Sequence, residues 1–468
     1  MTEIQQPIKD PVSLMLRLHN MEIGEVTSDG DSETGQSTSS TSSFRSIEDL
    51  PAELRDEVFS HIPDLPTLIA LIKASPVMYH HYRHNQGKII RACMCRELEG
   101  LYVDAYASLM VRQIPTGVHG RDQHAVDFLD KYRKWLGSGE SFQDALFADL
   151  GELYRLVEFH VQVVHPLARM YTEWALANLG RDIGVGLEEE GKGENKAKGP
   201  GDGDRGMTRV LSRSEERRLF QAIYRHEIFS RAFGFRDLRA GTLRADLVNT
   251  FFFGLFEPWE CEAIGCFNMF LRDRYQAVLD QMDEDVREIE QKLERRGVNE
   301  TTHSAGRLKS SICHMKDDLS FREHIADRLT NVWSLKVAVQ VFTANDPAHI
   351  LRQMKVITGM TEASLLKVVT DRILNNFTDA TVYHCLKKET QAMRRREMAA
   401  AGRIYPRDAA EGRGDALTFT GDEPVPVGPP IAWVLSWKGR YFNLYGGYVP
   451  ESLRRWGLQV ITAAQPVF

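Results

Sequence analysis

The stretch SIEDLPAELRDEVFSHIPDLPTLIALIKASPVMYHHY, residues 46–82, packs three helix starts and one repeating apolar face into fewer than forty residues. Pro51, Pro66 and Pro76 each stand where a new periodic segment begins. Proline suits the first helical position because its fixed φ is already helical and its missing N–H would be unpaired there. In the first helix, Leu50, Leu54, Val58 and Ile62 recur every four residues and are expected to form one apolar stripe, with Glu53, Arg55, Asp56 and Glu57 on the wet face. Leu65, Leu68, Ile69, Leu71 and Ile72 are too many to line one side of so short a second helix. Ser75 stands where it can cap a third, which carries Val77, Met78, Tyr79 and Tyr82 on to Ile89, Ile90 and Cys93. A three-helix unit of this size buries only about 60% of its extended-chain surface, so apolar residues are left for another surface to cover. That points to a docking module.

In order and spacing these residues resemble an F-box, the motif that joins a substrate receptor to the Skp adaptor of cullin–RING ubiquitin ligases. Leu50 and Pro51 stand where the family opens with Leu-Pro, and Glu53 and Leu54 stand at its Glu-Leu. Val58 takes the β-branched position, Ile62 the closing aliphatic, and Leu65, Leu68 and Leu71 the aliphatics of the second helix. Ser75 matches the family's serine, and Tyr79 falls where tryptophan is usual. Ala74 is smaller than the usual valine, and Pro63 lengthens the first connection by one residue. The resemblance implies that these ten positions, Leu50, Pro51, Leu54, Val58, Ile62, Leu65, Leu68, Leu71, Ser75 and Tyr79, bind the adaptor. A plain helical N-terminal subdomain is the other reading of the same pattern. The phrases LYRLVEFHVQ, LSRSEERRLFQAIYRHEIFSRAF and FFGLFEPWECEAIGCFNMFLRDRY are also similar to recurrent phrases of filamentous-fungal F-box proteins, which implies lineage and architecture but no substrate.

The 468 residues are 43% hydrophobic and 26% charged, with a formal net charge of −7. That balance argues against a dedicated nucleic-acid binder, whose domain carries a basic excess. Six cysteines, at 93, 95, 261, 266, 313 and 385, form no C-x-x-C pair. They are expected to be reduced core residues rather than zinc ligands or a disulfide framework. The N-terminus has neither a basic leader region nor a small-residue cleavage site, and no run of about 18 apolar residues is present to span a bilayer. The expectation is a cytoplasmic or nuclear protein with no membrane contact.

Along the chain, residues 1–45 read as disordered, the segment 27–43 being Ser/Thr-rich and poor in apolar side chains. The F-box-like unit spans 46–95, a helical region 96–180, and a flexible Gly-rich, charged insert 184–206. A second helical domain spans 207–401, beginning at LSRSEERR with Ser214 as the expected N-cap. It includes one long helix beyond Pro258, a loop at 297–311, and helical patterns at 347–357 and 361–377. Residues 402–430 read as a long loop. The tail 431–468 carries Trp433, Trp437, Tyr441, Phe442, Tyr445, Tyr448 and Trp456, an aromatic density that belongs either to the core or, at Trp437 and Trp456, to a partner surface. No repeat of 20–50 residues marks a propeller or horseshoe. The expected fold class is therefore all-α, a three-helix F-box followed by an irregular multi-helix domain.

Chemical motifs are weak. Gly186 to Lys192 spells G-x-x-x-x-G-K, but Gly193 replaces the Ser/Thr that would meet magnesium, and Glu188, Glu189 and Glu190 would repel phosphate. His80, His81 and His84 cluster without a completing ligand and read as a solvated face. Arg394, Arg395 and Arg396 read likewise. His226-Glu227 lacks a second histidine four residues on, and no G-x-S-x-G elbow occurs. The phenylalanine-rich FFFGLFEPWE, residues 251–260, reads as buried turn rather than groove. No cofactor or metal is expected. These readings favour a non-catalytic receptor that holds an unknown protein target for a Skp–cullin ligase. A helical interaction scaffold without ubiquitin transfer is the alternative.

Overall fold

The computed structural model describes residues 46–114, 121–138, 149–188, 211–234, 245–295, 326, 329–331, 334–344, 382–403, 406–420 and 428–457. The expectations for residues 1–45, 189–206, 297–311, 347–357, 361–377 and the tail beyond 457 lie outside them. Among the described residues the chain is all-α, with one isolated β-bridge between Ala416 and Arg440 and no strand. No helix there is long and apolar enough to cross a membrane. The described residues form two compact units. The first takes those within Met1–Tyr102 and Gly139–Gln162, and the second those within Val103–Ser138 and Val163–Phe468. The region read from sequence as 96–180 is thus shared between the two.

In the first unit, a 3-10 turn at Ile47–Asp49 leads into α1 (Ala52–Ser60), α2 (Leu65–Ala74) and α3 (Pro76–Glu97), joined later by α4 (Leu150–Phe159). Each helix starts where its chemistry dictates. Asp64 accepts the Thr67 N–H at 2.8 Å to cap α2, and Ser75 accepts the Met78 N–H at 3.2 Å to cap α3. Helix α3 bends at Asn85, whose φ/ψ of −114°/19° is non-helical. The expected stripe on α1 is corrected by the structure. Leu50 precedes the helix and Ile62 follows it. Each four-residue step also advances about 40° past a full turn, so an unbroken stripe of that spacing winds off the contact face. The buried residue of α1 is Phe59, stacked on His81 with ring centroids 5.7 Å apart. Asp56 stays on the wet face, as expected, and there it accepts from His81 Nε2 at 2.6 Å and from Lys88 Nζ at 3.1 Å.

In the second unit, α5 (Arg213–Phe229) lies against α6 (Pro258–Arg295). Ser212, not Ser214, is the N-cap of α5: it forms a capping box with Glu215, while Ser214 is buried in the first turn. So much of α5 is enclosed that its charges must be paired inside. Arg225 bonds Asp104 at 3.1 Å and Glu260 at 2.8 Å, its guanidinium lying 4.0 Å from the centre of the Phe256 ring, and Tyr132 donates to the same Asp104. Glu227 accepts from Arg231 at 3.1 Å, Arg112 at 3.4 Å and the Leu335 N–H at 2.9 Å. Burial raises its pKa, but the two arginines and the N–H outweigh burial and leave it below the usual value.

The phenylalanine-rich turn is core: Phe252, Phe253 and Phe256 pack with Phe229, Trp433 and Tyr445. The segment 402–430 is not simply loop, because it contains a helix at Pro406–Arg413. That helix also explains the arginine run on α7 (Lys388–Ala400). Arg395 pairs with Asp408 and Glu411, and Arg394 is buried, leaving only Arg396 on the solvated face once expected of all three. The helix His165–Glu188 runs into the start of the segment read as a flexible insert.

Candidate docking site

The first unit holds its entering chain by side-chain bonds. Ser46 and Asp49 form a capping box, the Ser46 N–H reaching Asp49 Oδ2 at 3.0 Å. Glu48 Oε1 then accepts the Ser75 hydroxyl at 2.7 Å, tying the 3-10 turn to the start of α3. Ser75 is 4% exposed, so its role in this geometry is to fix the turn from beneath. The segment so fixed carries Ile47 at 42% and Leu54 at 51% exposure, with Leu50 half-buried and Pro51 exposed between them. Large aliphatics held open on a rigid frame are what an apolar partner covers.

The ten family-matched positions divide by burial. Leu50, Pro51, Leu54, Val58, Leu71 and Tyr79 are exposed or half-buried, and Ile62, Leu65, Leu68 and Ser75 lie inside the unit. The inner four hold α1, α2 and α3 together; the outer six are available for contact.

Two residues outside that set lock the frame. Arg96, near the end of α3, donates to the Phe59 carbonyl at 3.2 Å, to the Ile62 carbonyl at 2.6 Å and to the Ser60 carbonyl. One guanidinium thereby satisfies three carbonyls at the C-terminal end of α1, where a cation also suits the helix dipole. Glu97, fully buried, accepts the Leu65 N–H at 2.9 Å and stands 3.2 Å from His160 Nε2. Sequence reasoning missed both because their partners are more than thirty residues away. Ile47 was missed although its three-residue spacing from Leu50 was visible.

The Asp56 clamp joins α1 to α3 electrostatically, and the His81 hydrogen bond, with Lys88 second, holds the Asp56 carboxyl below its usual pKa. His80 and His84 are exposed, their rings edge-on at 4.4 Å, and among the described residues no third ligand joins them. In the second unit, burial pushes the Cys261 thiol up to about 12 and the Cys385 thiol higher still, keeping both protonated. Cys93, Cys95, Cys261, Cys266 and Cys385 are not joined in disulfides. Trp437 is half-buried and stacked on Phe442 at 3.9 Å, and Trp456 donates its indole N–H to Asp182 at 2.6 Å. Both indoles are therefore held by the chain itself.

Comparisons with models of protein families, with curated proteins and with solved structures find no match to this chain.

Proposed function

We propose that the first unit is an F-box and that the chain is a substrate receptor of a Skp–cullin–F-box ubiquitin ligase. The observation that carries this reading is the pairing of an ordered F-box-like sequence with an open apolar edge at Ile47, Leu50, Pro51 and Leu54. Further support comes from the way Glu48, Ser75 and Arg96 fix that edge, since preorganised segments lose less freedom on binding. The receptor itself does no chemistry. Its contribution is proximity: it holds a target lysine near the conjugating enzyme and so raises the effective concentration of the reacting pair. The second unit is the part large enough to meet an unknown protein target. Such a role belongs to the cytoplasm or nucleus and requires neither nucleic acid nor cofactor.

Affinity purification of the tagged full chain, followed by mass spectrometry, tests the proposal. Co-purification of a Skp-type adaptor and a cullin supports it. Recovery of the adaptor alone would leave an interaction scaffold without ubiquitin transfer, and recovery of neither would make the motif a look-alike.

A further inference from the structure

The second unit encloses a cavity of about 360 Å³ between the middle of α6, the N-terminus of α7 and the segment from Gly447 to Arg454. Its size falls within the roughly 300–1,000 Å³ typical of small-molecule sites. Arg272, Lys387, Lys388 and Arg454 line it, together with Asn268. Among its described lining residues the carboxylates are Glu389 and Glu451, both exposed, and the nearby Glu262 is engaged by Arg454 and by the Gly446 N–H at 2.5 Å.

Three features of this wall are unfavourable as they stand and would be relieved by an anion. First, the Arg454 side chain is 6% exposed, yet among the described residues its Nη2 has no hydrogen-bond partner. A buried donor left unpaired is costly, and few persist without a ligand or water to receive them. Second, Lys387 stands at the N-cap of α7 without a side-chain cap bond, and Lys388 and Glu389 open its first turn. Open N–H groups and the positive end of the helix dipole favour negative charge there, which the lone Glu389 supplies against two lysines. Third, the cations are gathered rather than dispersed. Arg272 and Lys387 lie 5.1 Å and 4.9 Å from the centre of the same Tyr383 ring, and Lys388 lies 5.1 Å from the centre of the Tyr448 ring.

We propose that this cavity binds a phosphate group, either as free phosphate or as a small phosphomonoester. Arg454 donates from the floor, Arg272, Lys387 and Lys388 supply charge, and the first N–H groups of α7 complete the cradle. The site stands independently of what the first unit binds.

Calorimetric titration of the purified full chain with inorganic phosphate, and separately with O-phosphoserine, tests it. One saturable site with a Kd below about 1 mM is expected. Arg272→Gln and Lys388→Gln each remove a charged donor and should weaken it about tenfold, with the melting temperature unchanged. Glu451→Gln removes a repelling carboxylate and should tighten it. Stronger binding of O-phosphoserine identifies an ester ligand, and equal binding identifies free phosphate. The proposal is overturned if neither probe binds saturably, or if the three substitutions leave binding unchanged, which would mean an adventitious ion only.

Discussion

Leu54→Arg separates docking from folding more cleanly than any other change at the proposed edge. The side chain is 51% exposed, so its removal leaves no cavity, and surface substitutions of this kind stay within about 0.5 kcal/mol of the parent stability. Docking would cover the exposed half. Complete burial of a leucine is worth about 1.5–3 kcal/mol, so the half still open accounts for roughly 0.8–1.5 kcal/mol. Arginine at the same point forfeits that gain and brings a charge into the apolar contact, adding at least about 1 kcal/mol more. The sum is about 2 kcal/mol or above, more than a tenfold loss of adaptor affinity. Phe59→Ala is the foil. At 1% exposure Phe59 is core, and its truncation should destabilise the first unit by about 3–5 kcal/mol. Titrated pull-down with purified adaptor, paired with thermal melts by circular dichroism, reads both quantities. Wild-type adaptor binding by a folded Leu54→Arg protein would refute the reasoning.

Burial holds the His226 imidazole down at about 4, against the unfolded value of 6.5. The unfolded chain therefore takes up a proton first as pH falls, and stability is lost between pH 6.5 and about 4, by up to about 3 kcal/mol for this group. Chemical denaturation across that window should show a shallower acid limb for His226→Asn than for the parent; equal slopes would count against it. Gly446 has φ +65°, and a Cβ there would lie 2.2 Å from the Leu386 carbonyl oxygen, so Gly446→Ala should lower the melting temperature sharply, with strain of about 1–3 kcal/mol from the backbone alone. Trp437→Ala removes the ring stacked on Phe442 and edge-on to Trp433 at 5.7 Å. It should lower stability by about 1–3 kcal/mol, and an unchanged melt would return this indole to the list of partner contacts.

Helix class and approximate position were legible because they follow from local signals. Pro66, Pro76 and Ser75 mark starts that the structure keeps, and the long helix after Pro258 follows from its three- and four-residue apolar steps. What stayed hidden depends on contacts between distant segments. Spacing alone could not say that Asp56 pairs with His81, or that Arg96 closes the end of α1. The buried ion pairs of α5 were hidden for the same reason. Arg217, Arg225 and Glu227 are enclosed, Arg225 beside Asp104 and Glu260 and Glu227 beside Arg112 and Arg231, which no spacing within α5 reveals. Ser214 and Ser212 offered equivalent capping chemistry, and the Glu215 bond to the Ser212 N–H at 2.7 Å decided between them. The basic cavity was not legible either, because Arg272, Lys388 and Arg454 come from three separate segments, α6, α7 and the chain's last described residues.

The central claim is that the first unit docks on a Skp-type adaptor, and direct complex formation tests it most closely. Purified full-length chain and purified adaptor, mixed at about 10 μM and resolved by size exclusion with light scattering, should run as one species with the mass of a 1:1 complex. Two separate peaks at the masses of the free proteins would contradict it.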